Sequence, residues 1–138
     1  MTRPSSAAYV TAVLKFLQAF NRNDLDACES LLDPQIEWHS AVDYTGREAV
    51  RAMLESYGDK FSQPQARPDD FRAVADHVLI IVCFHEGDQN SPKKEQRQSW
   101  IADMNEEGRV RRVIAYPSPA DVVRAFEALS AAAPKVHA

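Results

Sequence analysis

The sequence predicts an α+β domain in which helices come first, a curled antiparallel sheet follows and a last helix closes the chain. Three observations carry this. Apolar residues recur at helical spacing through the first third of the chain. From Phe71 to Tyr116 the pattern has the period of strands. A new helical stripe begins after Ser118. The 138 residues make about one domain's worth of chain, enough for a core of its own. Residues 1–138 are read as one domain, with its core from about Ala7 to Leu129 and flexible ends.

The first helix is expected to start at Ser5 or Ser6, just after Pro4. Tyr9, Val10, Val13, Leu14, Phe16, Leu17 and Phe20 form its wide apolar stripe. After the break at Asn21–Asn23, Asn23 caps a short second helix. Asp24 and Asp26 stand in its first turn, and Leu25, Cys28, Leu31 and Leu32 form its buried face. Asp33-Pro34 stops it. Ile36 to His39 alternates as a strand, and Ser40 to Tyr44 reads as a loop. Thr45-Gly46-Arg47-Glu48 has the spacing of a capping box. The third helix then buries Val50, Met53, Leu54 and Tyr57.

Strands are expected at Phe71–Ala75, Val78–Glu86, Glu95–Met104 and Arg109–Tyr116. The last two form a hairpin about Asn105–Gly108, with Trp100 near Val113 and Gln98 near Ala115. Ser118, Pro119 and Asp121 then open the last helix, whose packed side is Val122, Val123, Phe126 and Leu129.

Composition excludes several function classes. The net charge of -4 argues against nucleic acid, which needs a basic face to neutralise phosphates. Arg109, Arg111 and Arg112 read as a solvated strand edge. No stretch approaches the roughly 20 apolar residues of a membrane span. The N-terminus lacks the apolar core of a signal peptide, so a cytoplasmic protein is expected. Cys28 and Cys83 sit in apolar surroundings and read as buried free thiols. No His, Cys, Asp and Glu spacing suggests a metal site, and no cofactor is expected.

Both faces of the strand from Val78 are apolar. Val78, Ile80, Val82 and Phe84 form one face, and Leu79, Ile81, Cys83 and His85 the other. Helices enough for one face leave the second to a partner sheet, so a homodimer through the outer sheet face is expected. A loop or tail over that face is the alternative.

Several segments together resemble the nuclear transport factor 2-like superfamily. They are Ala19-Phe20-Asn21-Arg22-Asn23-Asp24-Leu25-Asp26, Ile36-Glu37-Trp38-His39, Gly46-Arg47-Glu48-Ala49-Val50, Phe71-Arg72-Ala73-Val74-Ala75 and Glu107-Gly108-Arg109-Val110. The ending Tyr116-Pro117-Ser118-Pro119-Ala120-Asp121 is similar to SnoaL-like polyketide cyclase relatives. Order and spacing carry the resemblance, which covers nearly the whole chain. It implies a cystatin-like cone: a curved antiparallel sheet packed against about three N-terminal helices, with a C-terminal helix and a cavity at the open end. It also brings in ketosteroid isomerases, polyketide cyclases and epoxide hydrolases as reference chemistries.

Fold does not carry function, so each chemistry is tested on the residues. Ketosteroid isomerases use an Asp base with a Tyr and a protonated Asp as oxyanion donors. The resemblance puts Phe16 at that Tyr, Ser40 at the base and Trp100 at the second Asp. Losing one oxyanion donor costs about 2.7–4 kcal/mol of transition-state stabilisation, so that mechanism is rejected as it stands. A one-residue shift would bring His39 to the base position, where an imidazole suits proton abstraction. Strand alternation instead turns His39 away from Ile36 and Trp38, as a half-exposed strand-end histidine. Asp43 lies in the rim loop, as a second candidate base or as a turn residue. Arg67-Pro68-Asp69 is a poor epoxide hydrolase match because of its proline.

The inner lining is expected to comprise Phe16, Phe20, Trp38, Ser40, Met53, Tyr57, Val82, Phe84, Gln98, Trp100, Val113 and Ala115. Apolar walls with a few placed polar groups suit a small apolar molecule. Two readings follow. One is a pocket for a small hydrophobic or polycyclic molecule, with isomerase- or cyclase-like proton transfer at His39 or Asp43 and orientation by Gln98 or Tyr57. The other is a non-catalytic binding or dimerisation module whose cone is filled or stores a ligand.

Overall fold

Ser5 opens the first helix: its Oγ accepts a hydrogen bond from the Ala8 amide at 3.2 Å, satisfying one of the amides a helix start leaves unpaired. The computed structural model describes residues 4–60, 65–86 and 94–132, and the side chains within them except at 57–60, 65, 84–86 and 94–96. Helix α1 (Ser6–Asn21) buries Tyr9, Val13, Phe16, Leu17 and Phe20 along one stripe. Asn21 ties its end to the sheet. Its Nδ2 donates to the Ala66 carbonyl at 2.9 Å, and its Oδ1 accepts from the Ala66 amide at 2.7 Å.

Asn23 sits at φ 58, a left-handed conformation that Asn tolerates. The cap of α2 (Leu25–Ser30) is therefore Asp24 rather than Asn23, accepting from the Ala27 amide at 3.1 Å. Strand β1 (Leu32–His39) begins where the helix was expected to continue. Its pairing register shifts between Leu32 and Glu37, the stretch that holds Pro34, and a residue without an N–H is tolerated at such an irregularity.

The expected rim loop contains a short strand, β2 (Asp43–Thr45), which pairs back on β1 with Trp38 opposite Tyr44 and His39 opposite Asp43. Thr45 thus belongs to a strand, not to a helix cap. Gly46, at φ 90, stands before α3 (Arg47–Lys60), and its carbonyl accepts from the Val50 amide at 3.1 Å. The corner needs a positive φ, which is cheap for glycine. That moves the helix start to Arg47, one residue later than the expected Thr45 cap implies.

Strands β3 (Gln65–Val74), β4 (His77–Glu86), β5 (Lys94–Met104) and β6 (Val110–Tyr116) complete a six-stranded sheet of order β2-β1-β6-β5-β4-β3. Neighbours are antiparallel except β1 and β6, which are parallel. The sheet is mixed, where an antiparallel one was expected: no hairpin links these two strands, and the chain between them crosses the whole domain. Strand β3 runs longer than expected and includes Pro68. It lies on the sheet edge, and its register shifts between Pro68 and Asp70, two settings that tolerate proline.

In the last hairpin Trp100 faces Ala115 and Ala102 faces Val113, two residues away from the expected pairing. Met104 pairs with Val110 and Asp103 with Arg112, so Arg111 is an extra residue on β6. The Asn105 side chain closes the turn by accepting from the Glu107 and Arg109 amides at 2.9 Å each. A shift of two leaves every side chain on its face, so the inner set survives the error.

The core divides by face. Helices α1–α3 cover Ile36, Trp38, Val78, Ile80, Val82, Trp100, Ala102 and Val113. The opposite face carries Leu79, Ile81 and Ile101 under Val122 and Phe126 of α4 (Pro119–Ala132). Ser118 caps α4, accepting from the Asp121 amide at 3.2 Å and donating to its carboxylate at 2.9 Å. A homodimer through the outer sheet face was expected on the premise that helices cover only the inner face. Helix α4 lies on the outer one and buries these residues within the chain. No helix among the described residues is long and apolar enough to cross a membrane.

Candidate functional site

The inner face converges on three aromatic rings. Phe16 comes from α1, Trp38 from β1 and Trp100 from β5. Trp38 and Trp100 meet edge to face with centroids 5.2 Å apart at 75°, a geometry worth about 0.5–1.5 kcal/mol beyond its buried area. Phe16 lies tilted against Trp38 at 6.3 Å. Each ring is at most 7% exposed, so the cone is packed at its centre rather than hollow.

Among the described residues, two small voids flank this cluster. One is lined by Val13, Phe16, Leu32, Trp38, Ile80, Trp100, Ala102, Val110 and Val113, and leaves about 20 Å³ for the centre of a water-sized molecule. The other, with about 10 Å³, is lined by Phe16, Leu17, Phe20, Trp38, Met53, Leu54, Gln98 and Trp100. Each has room for about one water, but an apolar void without polar partners stays dry. Gln98 is the one polar residue in either lining. Its Oε1 accepts from Trp100 Nε1 at 3.2 Å.

Seven of the expected lining residues border these voids: Phe16, Phe20, Trp38, Met53, Gln98, Trp100 and Val113. Val82 is buried in the inner core, and Ala115 packs partly against it, but neither borders a void. Ser40 is not part of the lining. It is exposed, and its hydroxyl donates to the Val42 carbonyl at 2.8 Å, because the β1–β2 corner turns it outward. The side chains of Tyr57 and Phe84 lie outside the described residues. Sequence reasoning missed Leu32 because it was assigned to a helix. Val13, Leu17, Ile80 and Ala102 were legible from the helix stripe and from strand parity with Val82 and Trp100.

His39 and Asp43 stand together on the face opposite Trp38. The His39 ring contacts Asp43 Oδ1 through Nδ1 at 3.1 Å and Glu37 Oε1 through Nε2 at 3.2 Å. The three side chains are 37%, 70% and 49% exposed, respectively. Strand alternation produces this: Glu37 and His39 share a face, and cross-strand pairing brings Asp43 beside His39. The structure brings the two candidate bases to each other and not to the aromatic lining.

A second polar cluster escaped the sequence reading. Asp103 on β5 is 3% exposed. Arg112 grips its Oδ2 through Nε at 2.8 Å and Nη2 at 2.7 Å, and His77 Nδ1 meets its Oδ1 at 2.6 Å. Arg111 stands 3.9 Å away. Burial and the Asp103 carboxylate hold the nearby Tyr116 phenol above its ordinary pKa. Arg111 and Arg112 thus neutralise a buried acid rather than forming a basic surface. Among the described residues no group of three or more His, Cys, Asp or Glu side chains could hold a metal ion.

The sequence model of the SnoaL-like domain matches residues 13–113. The chain belongs to the SnoaL-like family. That family lies within the nuclear transport factor 2-like superfamily, and solved structures share the fold. A putative polyketide cyclase from Sinorhizobium meliloti is 17% identical with a TM-score of 0.67, over 77% of this chain and 94% of that one. TerC, co-crystallised with polyporic acid, is 16% identical with a TM-score of 0.68, over 90% and 98%. RV0760c from Mycobacterium tuberculosis, in complex with estradiol-17beta-hemisuccinate, is 14% identical with a TM-score of 0.67, over 82% and 95%. At these identities the likeness shows a shared cone fold. A search of curated proteins matches none.

Proposed function

We propose that this SnoaL-like domain binds a small hydrophobic molecule between its helices and the inner face of its sheet. The observation that carries the reading is the lining: among the described residues it is aromatic and aliphatic with one amide, Gln98, the composition of small-molecule sites. Two structural neighbours, TerC co-crystallised with polyporic acid and RV0760c in complex with estradiol-17beta-hemisuccinate, support the same reading. Trp38 and Trp100 are the chain's two tryptophans, so intrinsic fluorescence reports on the site. Titration with uncharged polycyclic compounds is expected to shift or quench that emission saturably. Emission that stays unchanged across such a panel would remove the proposal.

The contact between His39 and Asp43 favours a second reading, in which the domain acts in proton transfer on a different molecule, one held at the β1–β2 edge on the face opposite Trp38 and not in the aromatic lining. A carboxylate on Nδ1 orients an imidazole as a base. In that reading His39→Ala abolishes turnover of a bound substrate and leaves its affinity unchanged. Equal loss of both would count against it.

A further inference from the structure

The Trp38 indole keeps an unpaired hydrogen-bond donor in a nearly buried setting. The residue is 5% exposed, and a buried indole N–H ordinarily finds an acceptor. Among the described residues this one has none. The rings packed on it belong to Phe16 and Trp100, which offer no acceptor. Its cross-strand neighbours are Tyr44 and Val113, and no hydrogen bond joins the indole to either. Trp100 provides the contrast, because its Nε1 donates to Gln98 Oε1 at 3.2 Å.

That N–H is not sealed in. No fully enclosed side-chain nitrogen or oxygen among the described residues lacks a partner, so a donor without one borders space that a small molecule can reach. Trp38 lines both voids, and the only side-chain oxygen in either lining is that of Gln98, which Trp100 already engages. The acceptor for Trp38 therefore has to come with the bound molecule. We propose that the Trp38 indole N–H is the recognition point of this site, and that the ligand is an uncharged molecule presenting a carbonyl or ether oxygen to it. The inference rests on the small-molecule reading above and adds the ligand's polar group.

The polar group follows from what each alternative would strand. A hydrocarbon bound against Trp38 would cover the N–H and leave it unsatisfied, which weakens binding. A carbonyl oxygen accepts from it and leaves nothing unpaired. A carboxylate would accept as well. Among the described residues, however, neither void is lined by a charged side chain, so an ion would leave water without a counter-charge.

Indanone, indane and indane carboxylate test this, because they share a fused-ring frame and differ in the polar group. Each is titrated into the full chain and followed by calorimetry and by the two indole N–H resonances. Indanone is expected to bind about three- to tenfold tighter than indane, the worth of one neutral hydrogen bond. It should move the Trp38 N–H proton downfield, and indane should not. The carboxylate should not bind. Trp38→Phe keeps an aromatic ring and removes the donor, so its preference for indanone over indane should vanish. If that variant does not fold, the Trp38 resonance in wild-type protein decides by itself. Equal binding of indanone and indane, with no downfield shift at Trp38, would overturn the recognition point and leave the small-molecule reading intact. A preference for indanone that survives in Trp38→Phe would do the same. Carboxylate binding tighter than indanone would overturn the uncharged class. If none of the compounds binds, the inference falls, and the fluorescence titration with uncharged polycyclic compounds decides the broader reading separately.

Discussion

Arg112 grips the nearly buried carboxylate of Asp103 with two nitrogens, at 2.8 and 2.7 Å, on the side of the sheet away from the aromatic lining. His77 takes the other carboxylate oxygen at 2.6 Å. No buried side-chain polar atom among the described residues is left without a partner. Removing one member of such a set costs more when it strands a charge than when it removes one. Arg112→Ala is therefore expected to lower unfolding stability by about 3–5 kcal/mol, and Asp103→Asn by less. Urea denaturation of both variants checks the order, and the reverse order would contradict this account of the cluster.

Asp33 and Asn105 join the start of β1 to the turn between β5 and β6. Asn105 Nδ2 donates to Asp33 Oδ2 at 2.8 Å, and the Gln35 amide donates to Oδ1 at 2.7 Å. These bonds, the Asn105 one first, hold the Asp33 carboxyl below its ordinary pKa. A depressed carboxyl contributes stability that is present above the unfolded value, about 3.9, and is lost as pH falls through the folded value. Asn105→Ala should remove the larger part of that contribution and leave the Gln35 bond in place. Its deficit relative to wild type is expected to be full near neutral pH and to shrink as acid protonates Asp33. The turn bonds lost with the side chain leave a pH-independent deficit of about 1–2 kcal/mol. Denaturation curves across the acid range check this. A deficit that grows toward low pH has the wrong sign.

Cys28 is fully buried, and burial, with Asp24 adding to it, pushes its thiol up to about 11. The thiolate is the reactive form. Ellman's reagent at neutral pH is expected to leave Cys28 unmodified in folded protein and to react with it in denaturant. Rapid labelling of the native chain at Cys28 would show that α2 does not pack as described.

The sequence made the element order legible, along with both sheet faces and most of the lining, because helical stripes and strand parity are local signals. Phe16, Trp38 and Trp100 were placed on the inner face even though the hairpin register was wrong by two, since a two-residue slip does not turn a side chain over. The parallel pairing of β1 with β6 and the position of α4 were not legible. Both depend on which distant segments meet. Asp103 was missed for the same reason: an acid in a strand looks solvent-facing until His77 and Arg112 arrive from neighbouring strands. Ser40 failed as a lining residue because the β1–β2 corner, not strand alternation, sets its direction.

Helix α4 shields outer-face residues that would otherwise form an apolar patch. Val122 is fully buried and Phe126 nearly so, over Leu79, Ile81 and Ile101. Phe126→Ala should cost about 3–5 kcal/mol. Val122→Asp should loosen the helix and uncover the patch, giving concentration-dependent association by light scattering. If Val122→Asp keeps the oligomeric state of wild type at every concentration, α4 is not what covers this face.

The central claim is that the space beside Trp38 and Trp100 takes up a small uncharged hydrophobic molecule. Native mass spectrometry of the wild-type chain incubated with an uncharged polycyclic compound tests it most directly, with the Trp38→Ala variant alongside. The account predicts a one-to-one adduct that forms saturably, survives gentle desolvation and is weakened by Trp38→Ala. Bare protein at every ligand concentration, or an adduct indifferent to Trp38, would contradict it.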